Sequence, residues 1–424
     1  MKKLKLLSFI KTKNRKKSLP VFCWKCYNNS MEKIQRDSRF ELLRIISMIL
    51  IIMHHFACHG GYNFDASVPA LNKAVVDIFI VGGKIGVNVF LLITGYFMID
   101  KKFKFSKLIK LLLEVFFYSF VIYIIFVIFG KTQFNISAFA KNVFPTITKQ
   151  YWFITYYFIL YILSPFINKL INSLHKGELL ALVLVLLTFQ VIIPMISSNY
   201  FSYAGWFITI YLISAYIRLY SNNFFDSFKW NLLLFLGSLL AIILFNVFLG
   251  IVLYSINNIV AILCSLSLFC TFKNIKKPIH SKFINIVSST TLGIYLIHDN
   301  NFIRCFLWRD VLQCPTKVTQ NLFLLFAIIS CMVVFVVCFA IDLARQYAFE
   351  KPIMKLVYKA ENSIVEKWKT KRELKQKENQ ENVETNVDEN SQSKNEKNAD
   401  EINLSKEEIL EQENFNNTEN IKSE

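Results

Sequence analysis

The 424-residue chain lacks the short motifs that mark the best-known soluble enzyme classes. It has no HExxH zinc motif and no GxSxG nucleophile elbow, and its GGKIG segment at 82–86 lacks the Walker phosphate-binding pattern. Cys23 and Cys26 have the spacing of a metal or redox pair, but no second pair accompanies them. We therefore expect no bound metal ion and no P-loop nucleotide chemistry.

Disulfide spacing and a secretory leader are also missing. The nine cysteines are scattered, and four of them fall inside long apolar runs, at Cys264, Cys270, Cys331 and Cys338. The first thirty residues are basic, and their short LLSFI patch has neither the apolar length nor the small-residue cleavage site of a signal peptide. Because the organised sequence begins just after Met31, we regard that residue as an alternative start.

Long apolar runs dominate what the chain does contain. Glycine is sparse, with 12 residues, whereas phenylalanine is abundant, with 41, and the mean hydropathy is +0.40. The runs are about twenty residues long, which is the length a helix needs to cross a bilayer. The sequence therefore predicts an all-α, polytopic integral membrane helix bundle with about ten transmembrane helices. Their approximate limits are 40–58, 78–99, 108–129, 151–171, 179–196, 203–220, 230–249, 251–271, 286–307 and 321–347.

Charge is unevenly distributed along the chain. The net charge is +18, yet residues 351–424 hold 13 basic and 17 acidic residues, so the basic excess lies before them. Basic residues concentrate in the loops on one side of the predicted bundle, which indicates that both termini are cytoplasmic. Such an excess is typical of loops that face anionic headgroups, and it gives little support to nucleic-acid binding.

Composition divides the chain into three regions. Residues 1–35 form a basic N-terminal extension, residues 36–350 a membrane domain, and residues 351–424 a charged cytoplasmic tail. The tail is rich in Glu, Asn, Lys and Ser and has almost no aromatic residues, so we expect it to be disordered. We identify no extracytoplasmic globular domain.

Two ionisable residues lie on the first predicted span. Arg44 and His55 are eleven residues apart, which at 100° per residue is three turns plus about 20°, so the side chains share one helix face about 16 Å apart. A cation at the centre of such a helix costs on the order of 3 kcal/mol, so these groups usually face a protein interior or a watery cavity. Arg44 carries a planar fork that suits phosphate or carboxylate, and His55 can accept a proton near neutral pH. The pair predicts chemistry inside the bundle, with His55 as the general base.

Glu41 is a supporting candidate with two readings. It lies one turn before Arg44, where it can form an ion pair with the guanidinium. Ser38-x-x-Glu41 also matches a capping box, which would give Glu41 a purely structural role. From spacing alone the two roles are equally supported.

Other polar residues in the predicted spans are further supporting candidates. His54 lies beside His55, although histidines near a helix end are also typical of the outer membrane interface. Tyr295 and His298 belong to the ninth predicted span, where His298 is either a second intramembrane imidazole of the site or a packing residue. The fourth span begins with aromatic residues that are typical of an interfacial belt, at Trp152, Tyr156, Tyr157 and Tyr161.

Four ordered blocks of this sequence resemble a known enzyme family. They read RFELLRIISMILIIMHHF, NVFLLITGYFM, YWFITYYFILYILSPFIN and LGIYLIHDN. The first resembles the opening helix of bacterial acyltransferase family 3, membrane enzymes that acylate cell-surface carbohydrates. Arg44 and His55 match the Arg-x10-His signature of that family, and the other blocks resemble its later ones. The resemblance runs from about residue 36 to residue 347.

The resemblance implies a donor, an acceptor and roles for the site residues. It implies that acyl-CoA, usually acetyl-CoA, enters from the cytoplasm, that His55 is the catalytic base or proton carrier, and that Arg44 holds the donor or the active geometry. Where the family often has Arg-x-x-Arg, this chain has Lys107 and Lys110, which keep the charge of a donor-binding pair but not its bidentate geometry. We therefore expect an O-acyltransferase of the bacterial plasma membrane, without a bound cofactor, that acts on a cell-surface or exported polysaccharide.

A transporter or flippase of a glycan or lipid-linked substrate is the main alternative. Intramembrane Arg and His also serve as substrate and proton sites in transporters. Transporter cores often contain helices broken by Gly or Pro at corresponding positions of two halves. Here Pro165 and Pro194 lie near span ends, and we find no internal repeat, so the sequence favours the enzyme.

Overall fold

The computed structural model describes residues 37–220, 224–251, 253–368, 370–372 and 374. The Cys23/Cys26 pair, Met31 and most of the predicted tail therefore lie outside the described residues. Within these residues the chain is all helical and forms no β-strand, which confirms the predicted fold class.

Twelve helices of eight residues or more follow one another between residues 37 and 345. They are α1 Arg39–His59, α2 Ala70–Met98, α3 Phe105–Ile128, α4 Ile136–Val143, α5 Trp152–Ser173, α6 Lys176–Leu187, α7 Tyr203–Leu219, α8 Phe228–Leu249, α9 Ile259–Lys273, α10 Lys282–Ser289, α11 Thr291–His298 and α12 Phe323–Arg345. Five of them begin after a Ser or Asn side chain that accepts a first-turn N–H, a cap that satisfies an otherwise unpaired donor. These residues are Asn135, Ser202, Ser227, Asn258 and Ser281.

Seven of the described helices are long and apolar enough to cross a membrane. One of them is α6, which continues through a π-helical turn to Ile196. The apolar helices α7 and α9 are shorter, with 17 and 15 residues. The membrane helix bundle is thus confirmed, whereas the number of ten spans and the cytoplasmic location of both termini stay predictions.

The structure differs from the sequence prediction in two spans. The predicted ninth span, 286–307, is interrupted, because α11 ends at His298 and residues 299–302 form a turn. The Asn300 side chain stabilises this turn by accepting the backbone N–H of Phe302 at 3.0 Å. The predicted seventh and eighth spans, which nearly touch in the sequence, are separated by a loop that begins at Gly250, where φ is +61°.

The centre of the bundle is the contact between α1 and α2. In α2, 72% of the most apolar stretch is buried, against 17% in α8, so α2 is a core helix and α8 faces outward. A Cβ added at Gly83 would lie 2.1 Å from His54 Cβ, and one added at Gly86 would lie 2.6 Å from the Ser47 carbonyl oxygen. These two glycines therefore let the helices approach closely, as small residues do between membrane helices. This contact fixes the face of α1 that carries the predicted site.

The last membrane helix extends beyond the predicted end of the membrane domain. After α12 the chain passes through a π-helical turn, Gln346–Glu350, and remains helical over 351–368. The carboxylate of Glu361 accepts the backbone N–H of Ser106 in the first turn of α3 at 3.1 Å. The structure therefore places helix where the sequence predicted the beginning of a disordered tail.

Candidate active site

A cavity of about 940 Å3 lies within the bundle and is lined by residues from α1, α2, α3, α5 and α11. Arg44, Lys107 and Lys110 line one end, which we call the basic end. The opposite end, called the aromatic end, is lined by Trp152, Phe201, Tyr203 and Tyr254. A cavity of this size and composition is typical of a site for small-molecule ligands.

Most residues singled out from the sequence meet at this cavity. Seven of the eight line it, namely Glu41, Arg44, His54, His55, Lys107, Lys110 and Tyr295. The eighth, His298, is fully buried directly behind His55. The shared helix face predicted for Arg44 and His55 is therefore observed.

His55 is held by two residues from the end of α11. Its Nδ1 lies 2.8 Å from His298 Nε2, and its Nε2 lies 3.6 Å from the Asp299 carboxylate. His298 Nδ1 lies 2.5 Å from the Ile294 carbonyl oxygen, which can only accept, so this nitrogen carries the proton. In neutral His298 the Nε2 atom is then an acceptor, and His55 donates to it from Nδ1. The remaining lone pair of His55 lies on Nε2, next to Asp299, where an added proton is stabilised by a negative charge.

The Asp299 carboxylate is surrounded by basic groups. The same oxygen lies 3.5 Å from His59 Nε2 and 3.8 Å from Arg304 Nε. His55, His59 and Asp299 also offer ligand atoms within 4.8 Å of one another, a grouping that suits a metal ion and that the sequence spacing did not indicate. The Arg304 guanidinium beside the same carboxylate disfavours a second cation. The arrangement therefore favours Asp299 as a counter-ion for protonated histidine.

Arg44 is oriented by Glu41. Its Nη1 lies 2.7 Å from Glu41 Oε2, and the Ser288 hydroxyl donates to the same oxygen at 2.5 Å. Glu41 is buried, whereas Arg44 keeps 24% of its side chain exposed to the cavity. One edge of the Arg44 guanidinium is therefore fixed by Glu41, and the rest of the group is open to a ligand in the cavity.

The alternative capping-box role of Glu41 is wrong. Ser38 makes no side-chain cap hydrogen bond to α1. Its hydroxyl donates instead to the Asn285 side chain at 2.9 Å and accepts the Ser281 N–H at 3.1 Å. The contact with the segment around α10 takes the hydroxyl away from the helix end, and Glu41 turns toward Arg44.

The two lysines of the basic end have different surroundings. Lys110 Nζ lies 2.5 Å from Glu350 Oε1. Glu350 also contacts buried Arg345 at 2.8 Å, which in turn pairs with Glu114 at 3.0 Å. Lys107 lines the cavity one turn earlier in α3. Lys110 is thus tied into a buried charge network, and a ligand anion at this end would compete with Glu350.

Tyr295 lies beside His55 on the cavity wall. The ring centroids are 6.1 Å apart. The buried Tyr295 hydroxyl lies next to the Asp299 carboxylate, although the two do not reach a well-formed hydrogen bond. A buried donor without a well-formed partner is costly, so this hydroxyl can turn to donate either to Asp299 or to a bound ligand.

Aromatic residues from α5 and α7 enclose the other end of the cavity. The rings of Trp152 and Tyr203 pack with centroids 4.9 Å apart. The sequence indicated an interfacial belt here, but Trp152, Tyr157 and Tyr161 line the cavity. The same rings therefore face a polar ligand space as well as the neighbouring helices.

The sequence reasoning left two charged residues out of the site. Asp299 directly follows His298, but only the turn after α11 brings its carboxylate to His55 and His59. Lys84 lies in the middle of α2 and lines the cavity. Its signal was available, because a charge in the middle of an apolar helix is the same feature that marked Arg44.

Comparison with known families identifies the part of the chain that carries this site. The model of an acyltransferase domain matches residues 37–343, which is more than half of the chain and includes all eight predicted site residues. No curated protein and no solved structure matches the chain. The chain therefore belongs to acyltransferase family 3.

Proposed function

We propose that this membrane acyltransferase is an O-acyltransferase of the bacterial plasma membrane that moves an acetyl group from acetyl-CoA to a hydroxyl of a cell-surface or exported polysaccharide. The observation that carries the proposal is His55, which lines the cavity. Its Nδ1 is held by His298, and its Nε2 lies 3.6 Å from Asp299, near enough for charge stabilisation but beyond hydrogen-bond distance. This arrangement of a base, an orienting partner and a counter-ion suits general acid–base catalysis of acyl transfer.

His55 moves the proton in the proposed reaction. Its Nε2 takes the proton of the sugar hydroxyl while the sugar oxygen attacks the thioester carbonyl carbon. The resulting imidazolium lies next to the Asp299 carboxylate, 3.6 Å away. When the carbon–sulfur bond breaks, the proton passes from His55 to the departing thiolate. The products are the sugar ester and CoA thiol, and His55 returns to its neutral form.

Tyr295 is placed to stabilise the negative oxygen that forms during attack. Its buried hydroxyl makes no well-formed hydrogen bond to the described residues and lies on the same wall as His55. A donor aimed at a developing oxyanion is worth most in a site that excludes water. We propose that Tyr295 donates to the carbonyl oxygen of the thioester.

The basic end is proposed to receive the donor. Lys107 and Lys110 offer positive charge to the phosphates of CoA, and Arg44 lines the same cavity. The Arg44 guanidinium, oriented by Glu41, would hold the donor so that its thioester reaches His55. The polysaccharide would approach from the aromatic end.

The test compares the wild-type protein with His55→Ala and Arg44→Ala at matched membrane expression. Membranes with their native glycan receive radiolabelled acetyl-CoA, and label in alkali-labile carbohydrate esters is counted. His175→Ala is the matched control, because His175 is exposed in the loop before α6.

We expect label with the wild type and the control, and a loss of at least about 100-fold with His55→Ala, the usual contribution of a general base. Equal label with all variants would exclude His55 as the base. Without label from any protein, transport of a glycan through the same cavity becomes the next hypothesis to measure.

A further inference from the structure

Lys84 is a cation at the centre of α2, the most buried of the seven candidate membrane-spanning helices. It lies fourteen residues from Ala70 and fourteen from Met98, the two ends of α2. At ~1.5 Å per residue this is about 21 Å from either helix end. A lysine at such depth is costly in a membrane and marks a ligand or ion pathway when it faces a cavity. Lys84 lines the cavity described above.

Two other cations of the cavity, Arg44 and Lys110, have carboxylate partners from the protein. Arg44 pairs with Glu41 at 2.7 Å and Lys110 with Glu350 at 2.5 Å. Among the described residues, no Asp or Glu oxygen lies within 4.0 Å of the Lys84 ammonium. Its electrostatic neighbours are the His54 imidazole and the Cys58 thiol, which supply no negative carboxylate. The charge of Lys84 therefore lacks the compensation that the other two have.

The close contact between α1 and α2 sets the level of Lys84 in the cavity. Gly83 packs directly against His54, so Lys84 lies at the level of His54 and His55. Arg44 lies ten residues before His54 on α1, about 15 Å along the axis. Lys84 is thus separated from the basic end, where the donor phosphates are proposed to bind.

The surroundings toward the aromatic end suit a sugar. The packed rings of Trp152 and Tyr203 offer flat apolar faces, and Ser198 and Asn257 add polar groups to the same wall. Aromatic faces combined with a few polar groups are typical of sites that bind amphipathic ligands such as sugar rings. An unpaired cation beside such a surface adds a preference for negative charge.

We propose that Lys84 binds an anionic substituent of the acceptor, a carboxylate or a phosphate carried by the sugar whose hydroxyl is acylated. This deepens the proposed function and rests on it for the role of the sugar as acceptor. The bound anion neutralises Lys84 and holds the sugar at the level of His55, where its hydroxyl meets the base. Lys84 is a specificity-determining residue in this scheme.

The test measures sugar binding without any turnover. Full-length protein in lipid nanodiscs is titrated calorimetrically with glucose, glucuronate and glucose 6-phosphate, which share one ring and differ in charge. The variants are Lys84→Met, Lys84→Arg and, as a matched control, Lys73→Met, an exposed lysine of the same helix. Thermal unfolding of each variant checks that the fold is intact.

We expect the wild type and Lys73→Met to bind at least one anionic sugar about tenfold more tightly than glucose. Lys84→Met should lose that preference, and Lys84→Arg should keep most of it. The sugar whose preference is lost identifies carboxylate or phosphate as the group. The proposal would be overturned if Lys84→Met still bound the anionic sugar more tightly than glucose. It would also be overturned if the wild type showed no saturable binding of either anionic sugar.

A titration with acetyl-CoA distinguishes a role of Lys84 in binding the acceptor from a role in binding the donor. Lys84→Met should leave acetyl-CoA affinity within about twofold of the wild type, since the donor phosphates bind elsewhere. A loss of donor affinity with unchanged sugar binding would assign Lys84 to the donor and overturn the inference. If anion preference is present but no acyl transfer occurs, the proposed function fails while the anion site stands.

Discussion

At the scale of single residues, the site depends on the Asp299 carboxylate, which lies close to three basic side chains. Asp299 lies within 3.8 Å of His55, His59 and Arg304. A buried anion next to several basic groups stays ionised and stabilises a proton on whichever imidazole receives one. Because only His55 of these also lines the cavity, the carboxylate favours proton uptake at the position where a substrate hydroxyl can bind.

Asp299→Asn tests this use of the carboxylate. The amide keeps the size of the side chain but removes the charge that stabilises the His55 imidazolium, so we expect kcat to fall about 100-fold or more with little change in KM. Initial rates of acetyl transfer measure the effect. Asp310→Asn, at an exposed position in the same connecting segment, should retain wild-type rates. A change in KM alone would assign Asp299 to substrate binding.

Helical spacing predicted the site where its residues lie on one helix and failed where they do not. The common face of Arg44 and His55 follows from the geometry of α1, and the ion pair with Glu41 follows from a separation of one turn. The contact between His55 and His298 joins residues 243 positions apart, and no local rule specifies it. The predicted capping box at Ser38 is wrong for the same reason, because its hydroxyl binds a side chain that is distant in the sequence instead of the helix end.

At the scale of helices, the glycine face of α2 determines the position of the face of α1 that carries Arg44 and His55. Gly83 and Gly86 have no room for a Cβ against α1, whereas one added at Gly82 would only reach ordinary contact, 3.5 Å from Leu50. The helix that carries His55 and Arg44 is therefore held close to α2. A methyl group at the contact would push α1, and its site residues, away from the other cavity walls.

Gly83→Ala should destabilise the protein by about 1–3 kcal/mol, the usual effect of overpacking, and should lower acetyl transfer as well. Gly82→Ala is the matched control and should behave like the wild type. Thermal unfolding in detergent and initial rates give the two readouts. Wild-type stability and activity in Gly83→Ala would contradict the rigid contact between α1 and α2.

A second contact between helices, an ion pair, joins the basic end of the cavity to the helical extension after α12. Lys110 of α3 pairs with Glu350, which lies in the π-helical turn after α12 and also contacts Arg345. A donor phosphate at Lys110 must compete with this carboxylate. In the proposed donor site, Glu350 would therefore neutralise Lys110 until a more highly charged anion replaces it.

Glu350→Gln should release Lys110 and lower KM for acetyl-CoA by roughly three- to tenfold, because one charged competitor is removed. Lys110→Met should raise the same KM. Arg345 keeps Glu114 and Asp342 as partners, so the fold should persist. Glu366→Gln, at an exposed position on the same extension, controls for a general loss of charge. An unchanged KM in both Glu350→Gln and Lys110→Met would remove Lys110 from the donor site.

At the scale of the whole molecule, composition and hydropathy were enough to predict a helical membrane bundle. They did not predict where helices break, because breaks depend on partners that only the packed bundle supplies. The turn at 299–302 falls on the polar HDNN segment within the predicted ninth span and brings a carboxylate to the end of α1. The apolar pattern therefore predicted the membrane spans well, but it did not predict the polar site that forms where the helices break.

The orientation of this bundle in the membrane decides whether the proposed donor or the proposed acceptor can reach a given end of the cavity. Among the described cysteines only Cys58 and Cys305 are exposed, and both lie near the end of α1 that the sequence places outside. A membrane-impermeant maleimide applied to intact cells should label the wild type and fail to label the Cys58→Ser/Cys305→Ser double variant. Label that persists in the double variant would come from Cys23 or Cys26 and would put the N-terminus outside. In that case the basic end would face away from cytoplasmic acetyl-CoA, and the assignment of donor and acceptor to the two ends would have to be reversed.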